Sequence, residues 1–275
     1  MKDFSETHPN LQTVLREGDL LYFGEEHLQA AEERLQNCIQ CKQGEKCSLT
    51  DHNPGYSVDD AGRVPIGVQS DGCIEYGECE KWVNLKRAKR LKKIGIPPLF
   101  HNSSFENFKP QNEKAKAALK GCQKFVEDIL NQENPGGIFL NGPFGTGKTH
   151  LAAASMAALS DSGCSNLLFA VVPKLLALTR KAINTDDPRD YVGEASEANV
   201  LVLDDVGAEK ISEWAREQLF LIINSRYENQ LPTILTTNAS MAELEQRIGG
   251  AAVSRICQMA QGYVLNGSDF RRKGA

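Results

Sequence analysis

One eight-residue stretch, Gly142-Pro143-Phe144-Gly145-Thr146-Gly147-Lys148-Thr149, limits what this chain can fold into more than any other. It follows a short apolar run, Gly137 to Leu140, and opens a segment of helical character that begins at Lys148. The glycines let the backbone curl so that its N–H groups point inward, and the helix that follows adds the positive end of its dipole at the same place. A strand, G-x-x-x-x-G-K-[ST] and a helix in that order form a cradle for phosphate. Gly142 to Thr149, with His150 next along, are therefore the candidate nucleotide-binding residues. Lys148 is expected to reach the β- and γ-phosphates, and Thr149 to hold Mg²⁺.

The surrounding pattern fits the same architecture. A helix over 112–131 precedes the loop. Strand 166–172, helix 173–183 with Pro173 early in it, strand 199–204, helix 211–229, strand 233–237, helix 240–247 and a last strand near Tyr263 to Leu265 follow. Short continuous apolar strands alternating with helices imply a parallel sheet covered on both faces, an α/β fold whose ligands lie at the carboxyl ends of the strands.

Two of those strand ends carry chemistry. In Asn199-Val-Leu-Val-Leu-Asp-Asp205, Asp204 closes a buried apolar strand, where a carboxylate is costly unless it meets a cation. In a phosphate-loop protein that cation is Mg²⁺, and Asp205 beside it faces the attacking water. Asp204-Asp205-Val206-Gly207 also fits a guanine-nucleotide pattern, but no base-reading N-K-x-D stretch follows, so ATP is expected. Asn238 ends the strand Thr233 to Thr237. A strand inserted between the phosphate loop and the Asp204 strand would bring that amide to the γ-phosphate. Arg255 sits in an apolar setting and needs an anion, from an internal salt bridge or from the γ-phosphate of a neighbouring subunit. Arg226 reads as an intersubunit contact or a solvated side chain.

The chain has 275 residues, 41% of them apolar, and a net charge of −5. That composition excludes a disordered chain, and a negative balance argues against polyanion binding by the whole surface. No apolar run approaches the roughly 20 residues that span a bilayer. The start, Met1-Lys-Asp-Phe-Ser, shows no charged-then-apolar pattern, so a cytoplasmic protein with no membrane partner is expected.

The cysteines are unevenly spread. Cys38, Cys41, Cys47, Cys73 and Cys79 fall within 42 residues of a Gly- and Asp-rich stretch with few apolar residues to bury. Reduced thiols in a C-x2-C step suit Zn²⁺, and a metal would staple a segment that lacks a core. An iron–sulfur cluster or free thiols remain open, as does the ligand set, with His52 a sixth candidate. Cys122, Cys164 and Cys257 read as small buried core residues. Residues 81–93 carry seven basic residues and no acidic one, either a nucleic-acid contact or a solvated linker. Pro97-Pro98 ends any helix there. The expected layout is an N-terminal helical and cysteine-rich module over 1–80, a basic linker over 81–98 and an ATPase core over 99–275.

These residues together resemble the AAA+ helicase loaders of the DnaC/DnaI type. Ile96-Pro-Pro-Leu-Phe-His-Asn-Ser-Ser-Phe-Glu-Asn-Phe108, the phosphate loop, Val200 to Glu209, Leu231 to Asn238 and Ala252 to Ile256 follow in that family's order. The Cys38…Cys79 stretch is similar to the DnaI-type zinc module, which implies Cys38, Cys41 and Cys79 as zinc ligands with Cys47 as the fourth, ahead of His52 and Cys73. The resemblance implies an AAA+ core with little or no C-terminal lid and an ATPase, slow because Asp205 stands where many relatives carry glutamate. It implies ATP, Mg²⁺ and Zn²⁺ as cofactors. The implied partners are a replicative DNA helicase, single-stranded DNA and further copies of the chain, assembled on ATP and DNA. Lys148, Asp204, Asp205, Asn238 and Arg255 are the implied catalytic set, Thr149 and Asp204 the magnesium ligands. Arg271 stands in for a missing sensor arginine or belongs to a basic tail. An IstB-type transposition ATPase shares the core, and an ATP-gated zinc adaptor with little hydrolysis is the rival from another class.

Overall fold

Five short strands carry the architecture, four of them buried along most of their length and the fifth, at one edge, largely open. The computed structural model describes residues 64–68, 74–77, 80–185, 187–208, 212–267, 269 and 270. In chain order these form β1 (Val64–Val68), β2 (Ile74–Gly77), α1 (Glu80–Ile94), a 3-10 turn (Pro98–Phe100), α2 (Glu113–Leu130), β3 (Gly137–Asn141) and α3 (Lys148–Asp161). Then come β4 (Leu167–Val171), α4 (Val172–Thr185), α5 (Tyr191–Glu197), β5 (Val200–Asp204) and α6 (Glu213–Glu228). The last elements are β6 (Thr233–Thr237), α7 (Met241–Ile248), α8 (Gly250–Met259) and β7 (Ala260–Val264).

The chain divides into two compact units, Met1–Lys86 and Arg87–Ala275. Within the first, β1 and β2 pair antiparallel, Val64 opposite Gly77 and Val68 opposite Ile74. Cys38, Cys41, Cys47, His52, Cys73 and Cys79 lie outside the described residues, as do Arg271 and most of the module expected over 1–80.

The second unit is built on a parallel sheet in the order β4-β5-β6-β3-β7. Alternation along each strand sends successive side chains to opposite faces. Ile138, Leu140, Phe169, Val200, Val202 and Ile234 pack with α2 and α3 in one core. Phe139, Ala170, Leu201, Leu203 and Leu235 pack with α4 to α8 in the other. The same period continues Val200 and Val202 into Asp204, and Ile234 into Thr236, so both polar groups end up on the α3 face.

Local chemistry sets the helix ends. Asn112 caps α2, its side chain accepting the Ala115 N–H at 2.9 Å. Ser240 and Glu243 form a reciprocal capping box at α7. Four of the five alanines of α3, Ala152, Ala153, Ala154 and Ala157, are buried, which lets it lie close against the strands.

The structure departs from the sequence reading in several places. α7 falls where a helix was expected, but a second helix, α8, follows it, and α5 had no periodic signal because it spans only seven residues. β7 begins at Ala260, a turn earlier than expected. The core unit begins at Arg87, inside α1. Leu91 and Ile96 are buried in the core, and Arg87 and Arg90 hold Asp161 at 2.8 and 3.1 Å. Of the three cysteines read as core residues, Cys122 is buried, Cys164 half-buried and Cys257 exposed on α8. The apolar neighbours of Cys257 in sequence, Ile256 among them, face inward and leave it outside.

Candidate nucleotide-binding site

The phosphate loop joins the end of β3, flanked by β6 and β7, to the start of α3. Gly147 caps α3 with φ +93°. A side chain there would be strained by the backbone and would place its Cβ 2.6 Å from the Phe108 ring. Gly142 is fixed differently, because a Cβ at that position would lie 2.0 Å from the Leu265 carbonyl oxygen.

Lys148 is buried and donates its ammonium to the carbonyls of Gly142 and Pro143, at 2.7 and 2.8 Å. It lies folded over the loop it belongs to, within reach of whatever fills the loop. His150 Nε2 is 2.9 Å from the Ser104 carbonyl, and its ring stands 5.5 Å from that of Phe108. Through His150 the start of α3 fastens the segment 100–108 beside the loop. Asn107 knots that segment, accepting the Ser104 N–H at 3.0 Å and donating to the Asn102 carbonyl at 2.6 Å.

A cavity of about 480 Å³ opens between these parts, lined by Leu99, Phe100, Phe108, Phe144, Lys148, Thr149, His150, Asp205 and Phe270 among others. Its volume falls in the range of small-molecule sites, roughly 300–1,000 Å³. Its lining combines apolar rings with the residues of the phosphate loop, as a site for the base and the phosphates of a nucleotide would. The segment after β7 borders it too, since the Phe270 N–H donates to the Gly145 carbonyl at 3.1 Å.

The carboxylates come together as the strand order requires. β6 lies between β5 and β3. Thr149 Oγ1 donates to Asp204 Oδ1 at 3.0 Å, and Thr236 Oγ1 donates to the same oxygen at 2.7 Å. Burial pushes the Asp204 carboxyl up to about 6, against the opposing pull of the two hydroxyls, with Asp205 adding to the rise. A buried carboxylate held by hydroxyls, beside a phosphate cradle, is a hard oxygen site of the kind Mg²⁺ takes. Thr149 and Asp204 therefore fit that ion.

Simple alternation would send Asp205 to the far face of the sheet. Its φ of +59° breaks the alternation and turns the side chain into the cavity. Asn238 follows β6 directly and is half-buried, at the same end of the sheet as the phosphate loop.

The two arginines differ sharply. Arg255, half-buried on α8, donates to Asn224 Oδ1 and to the Ala251 carbonyl, with its guanidinium 5.2 Å from the Phe220 ring and 5.7 Å from that of Tyr227. No salt bridge engages it among the described residues, and it does not line the cavity of its own chain. Arg226 corrects the sequence reading. It is fully buried and donates to Thr233 Oγ1 and to the carbonyls of Ala195, Ser196, Ala198 and Pro232. Burial pulls its guanidinium down to about 10. It ties α5 and the β6 approach to α6, and neither solvent nor a second subunit reaches it.

Sequence reasoning missed Thr236, Phe108 and Asn107. Alternation from Ile234 was the available signal for Thr236. Phe108 and Asn107 lie in the segment Ile96 to Phe108 that carries the family resemblance, but nothing local gives either a part in the site.

A phosphate loop on the third described strand, an acidic strand separated from it by β6, and a polar tip on β6 define a P-loop ATP-binding protein of the AAA+ type. Residues 83–273 match the family described as IstB-like ATP binding protein, and the chain belongs to that family. It is similar to the replicative helicase loader DnaC of Escherichia coli (strain K12), 28% identical over 173 residues, which are 62% of this chain and 70% of that protein. It is also similar to the replicative helicase loader DnaI of Bacillus subtilis (strain 168), 26% identical over 220 residues, 78% of this chain and 68% of that one. The crystal structure of the DnaC helicase loader superposes with a TM-score of 0.57 at 31% identity, covering 62% of this chain and all of that one. Among the described residues no helix is long and apolar enough to cross a membrane.

Proposed function

We propose that this chain is an ATP-dependent loader that binds a replicative DNA helicase and delivers it to single-stranded DNA. The observation that carries the reading is the reach of the likeness to DnaI. It takes in 78% of the chain, more than residues 83–273 make up, so it runs beyond the ATP-binding core toward the cysteine-rich region. The experiment is a pull-down of the cognate replicative helicase with ATP and zinc supplied. Capture of the helicase supports the proposal, and its absence counts against it.

In this reading the residues of the loop and of β5 and β6 divide the work. The loop's N–H groups and Lys148 bind the phosphates, and Lys148 exchanges its carbonyl partners for phosphate oxygens as it does so. Thr149 and Asp204 would hold Mg²⁺, which would neutralise charge that develops on the phosphates. Asp205 takes the proton of the attacking water, and Asn238 orients that water. Arg255 approaches the γ-phosphate of a neighbouring copy, so turnover requires assembly. Cys38, Cys41, Cys47 and Cys79 bind Zn²⁺ in the helicase-binding module, and elemental analysis with thiol counting tests that part alone. The lysines of α1 are a candidate contact for DNA phosphates.

A second reading, an IstB-type transposition helper, draws on the family match over 83–273. It would show as ATP-dependent DNA binding with no affinity for a replicative helicase.

A further inference from the structure

Three buried threonines line β6, and one is used unlike the others. Thr233 Oγ1 donates to the Leu231 carbonyl and accepts from Arg226. Thr237 Oγ1 donates to the Val206 carbonyl at 2.7 Å and accepts the Ala239 N–H at 3.1 Å. Both serve packing and turns. Thr236 Oγ1 gives its single proton to the Asp204 carboxylate and accepts the Asp205 N–H at 3.0 Å. Thr236 is wholly buried, and its own carbonyl accepts the Val206 N–H at 2.8 Å.

We infer that Thr236 is a positioning residue that couples the two carboxylates of the site, fixing the Asp204 carboxylate through its donated proton and the left-handed turn of Asp205 through its lone pair. The inference rests on the ATP reading of the site and deepens it.

The argument follows from the bonds. A hydroxyl that donates to Asp204 has its proton committed, so its lone pairs are oriented toward the Asp205 amide. Asp205 adopts a left-handed conformation that L residues take seldom. That conformation alone brings its side chain onto the cavity side of the sheet. Thr149, the other donor to Asp204 Oδ1, belongs to the phosphate loop and must also meet nucleotide. Thr236 belongs to the sheet and has no such second duty, so it holds Asp204 in place when Thr149 turns to the ligand.

The test compares the full-length wild type with Thr236→Val, which keeps shape and loses the hydroxyl, and Thr236→Ser, which keeps the hydroxyl. Amide hydrogen exchange is followed in peptides covering 204–208 without nucleotide. The kcat, the KM for ATP and the Mg²⁺ midpoint for binding an ATP analogue are then measured. The expected result is faster exchange at 204–208 in Thr236→Val with 200–203 still protected. Its kcat falls by about 10- to 100-fold, the range a small misplacement of reacting groups commands. KM stays within about threefold, the Mg²⁺ midpoint rises, and Thr236→Ser restores all of these. Unchanged exchange in Thr236→Val overturns the inference. So does faster exchange with unaltered kcat and Mg²⁺ midpoint, or a serine variant as impaired as the valine. A wild type that never hydrolyses ATP would sink the hydrolysis reading instead, and exchange with the Mg²⁺ midpoint would then decide the inference.

Discussion

Thr149 and Asp204 stand 55 residues apart in the chain, yet the Thr149 hydroxyl donates to the Asp204 carboxylate across 3.0 Å. One belongs to the loop after β3 and the other to the tip of β5. Their meeting, over the end of the intervening β6, brings the phosphate cradle and the acidic strand together as one site.

Lys148→Ala is expected to abolish nucleotide binding while the fold persists. Its ammonium is held by the loop carbonyls of Gly142 and Pro143, and its aliphatic stem is small beside the two cores. Titration with a fluorescent ATP analogue should show a loss of at least roughly 10-fold, the scale of one charge-assisted phosphate contact. Unchanged affinity would refute the placement of the phosphates.

Asp204→Asn is expected to stabilise the nucleotide-free protein while removing Mg²⁺-dependent binding. Burial holds the Asp204 carboxyl near 6, above its ordinary value of 3.8, so the folded state prefers the proton. The cost of ionising it is absent below about pH 4, where both states are protonated, and fully present above about pH 6; it is on the order of 3 kcal/mol. Melting in metal-free buffer should place Asn above Asp by several degrees at pH 8, with the difference shrinking toward pH 4. A lower midpoint for Asn at pH 8 would contradict this.

Arg226→Ala should be among the most destabilising single changes in the core unit. It removes the guanidinium that donates to the carbonyls of Ala195, Ala198 and Pro232 and opens a cavity beside α6. The expected loss in urea unfolding is about 2–5 kcal/mol, the scale of a large-to-small core change that also removes buried hydrogen bonds. A loss below about 1 kcal/mol, the scale of a surface change, would show that the guanidinium is replaceable by water.

Arg255→Ala should retain ATP binding and lose hydrolysis that depends on protein concentration. Its partners Asn224, Phe220 and Tyr227 all lie on α6, and it does not line its own chain's cavity. Specific activity measured across a dilution series tests this. If wild-type turnover per monomer is independent of concentration, the role across subunits fails.

Thiol labelling of the native chain should separate the three core-unit cysteines. Cys257 is exposed and reacts, while Cys122 is buried with its thiol pushed up to about 12 and reacts only on unfolding. Mass mapping of an alkylated sample checks both.

Much of this was legible beforehand because it is written in local pattern. The phosphate loop declares itself through its glycines, and β3, β4 and β5 through their apolar runs. Asp204 was found because a carboxylate ending such a run needs a reason. The positions that escaped are set by distant contacts. Arg226 looks like a surface cation in its helix, and only the return of α5 and β6 supplies the carbonyls that bury it. Phe108 and Asn107 matter because His150 pins their segment to the loop. Arg87 and Arg90 read as linker charge until Asp161, more than 70 residues on, comes to meet them.

The most direct test of the whole account is loading itself. Cognate replicative helicase is mixed with this protein on single-stranded DNA that has no free end, and helicase-dependent unwinding of an annealed strand is followed. The account predicts unwinding that requires this chain, Mg²⁺ and ATP, is lost with Lys148→Ala, and is reduced with Arg255→Ala. Unwinding at the same rate with and without the protein, under conditions in which both bind ATP, would contradict it.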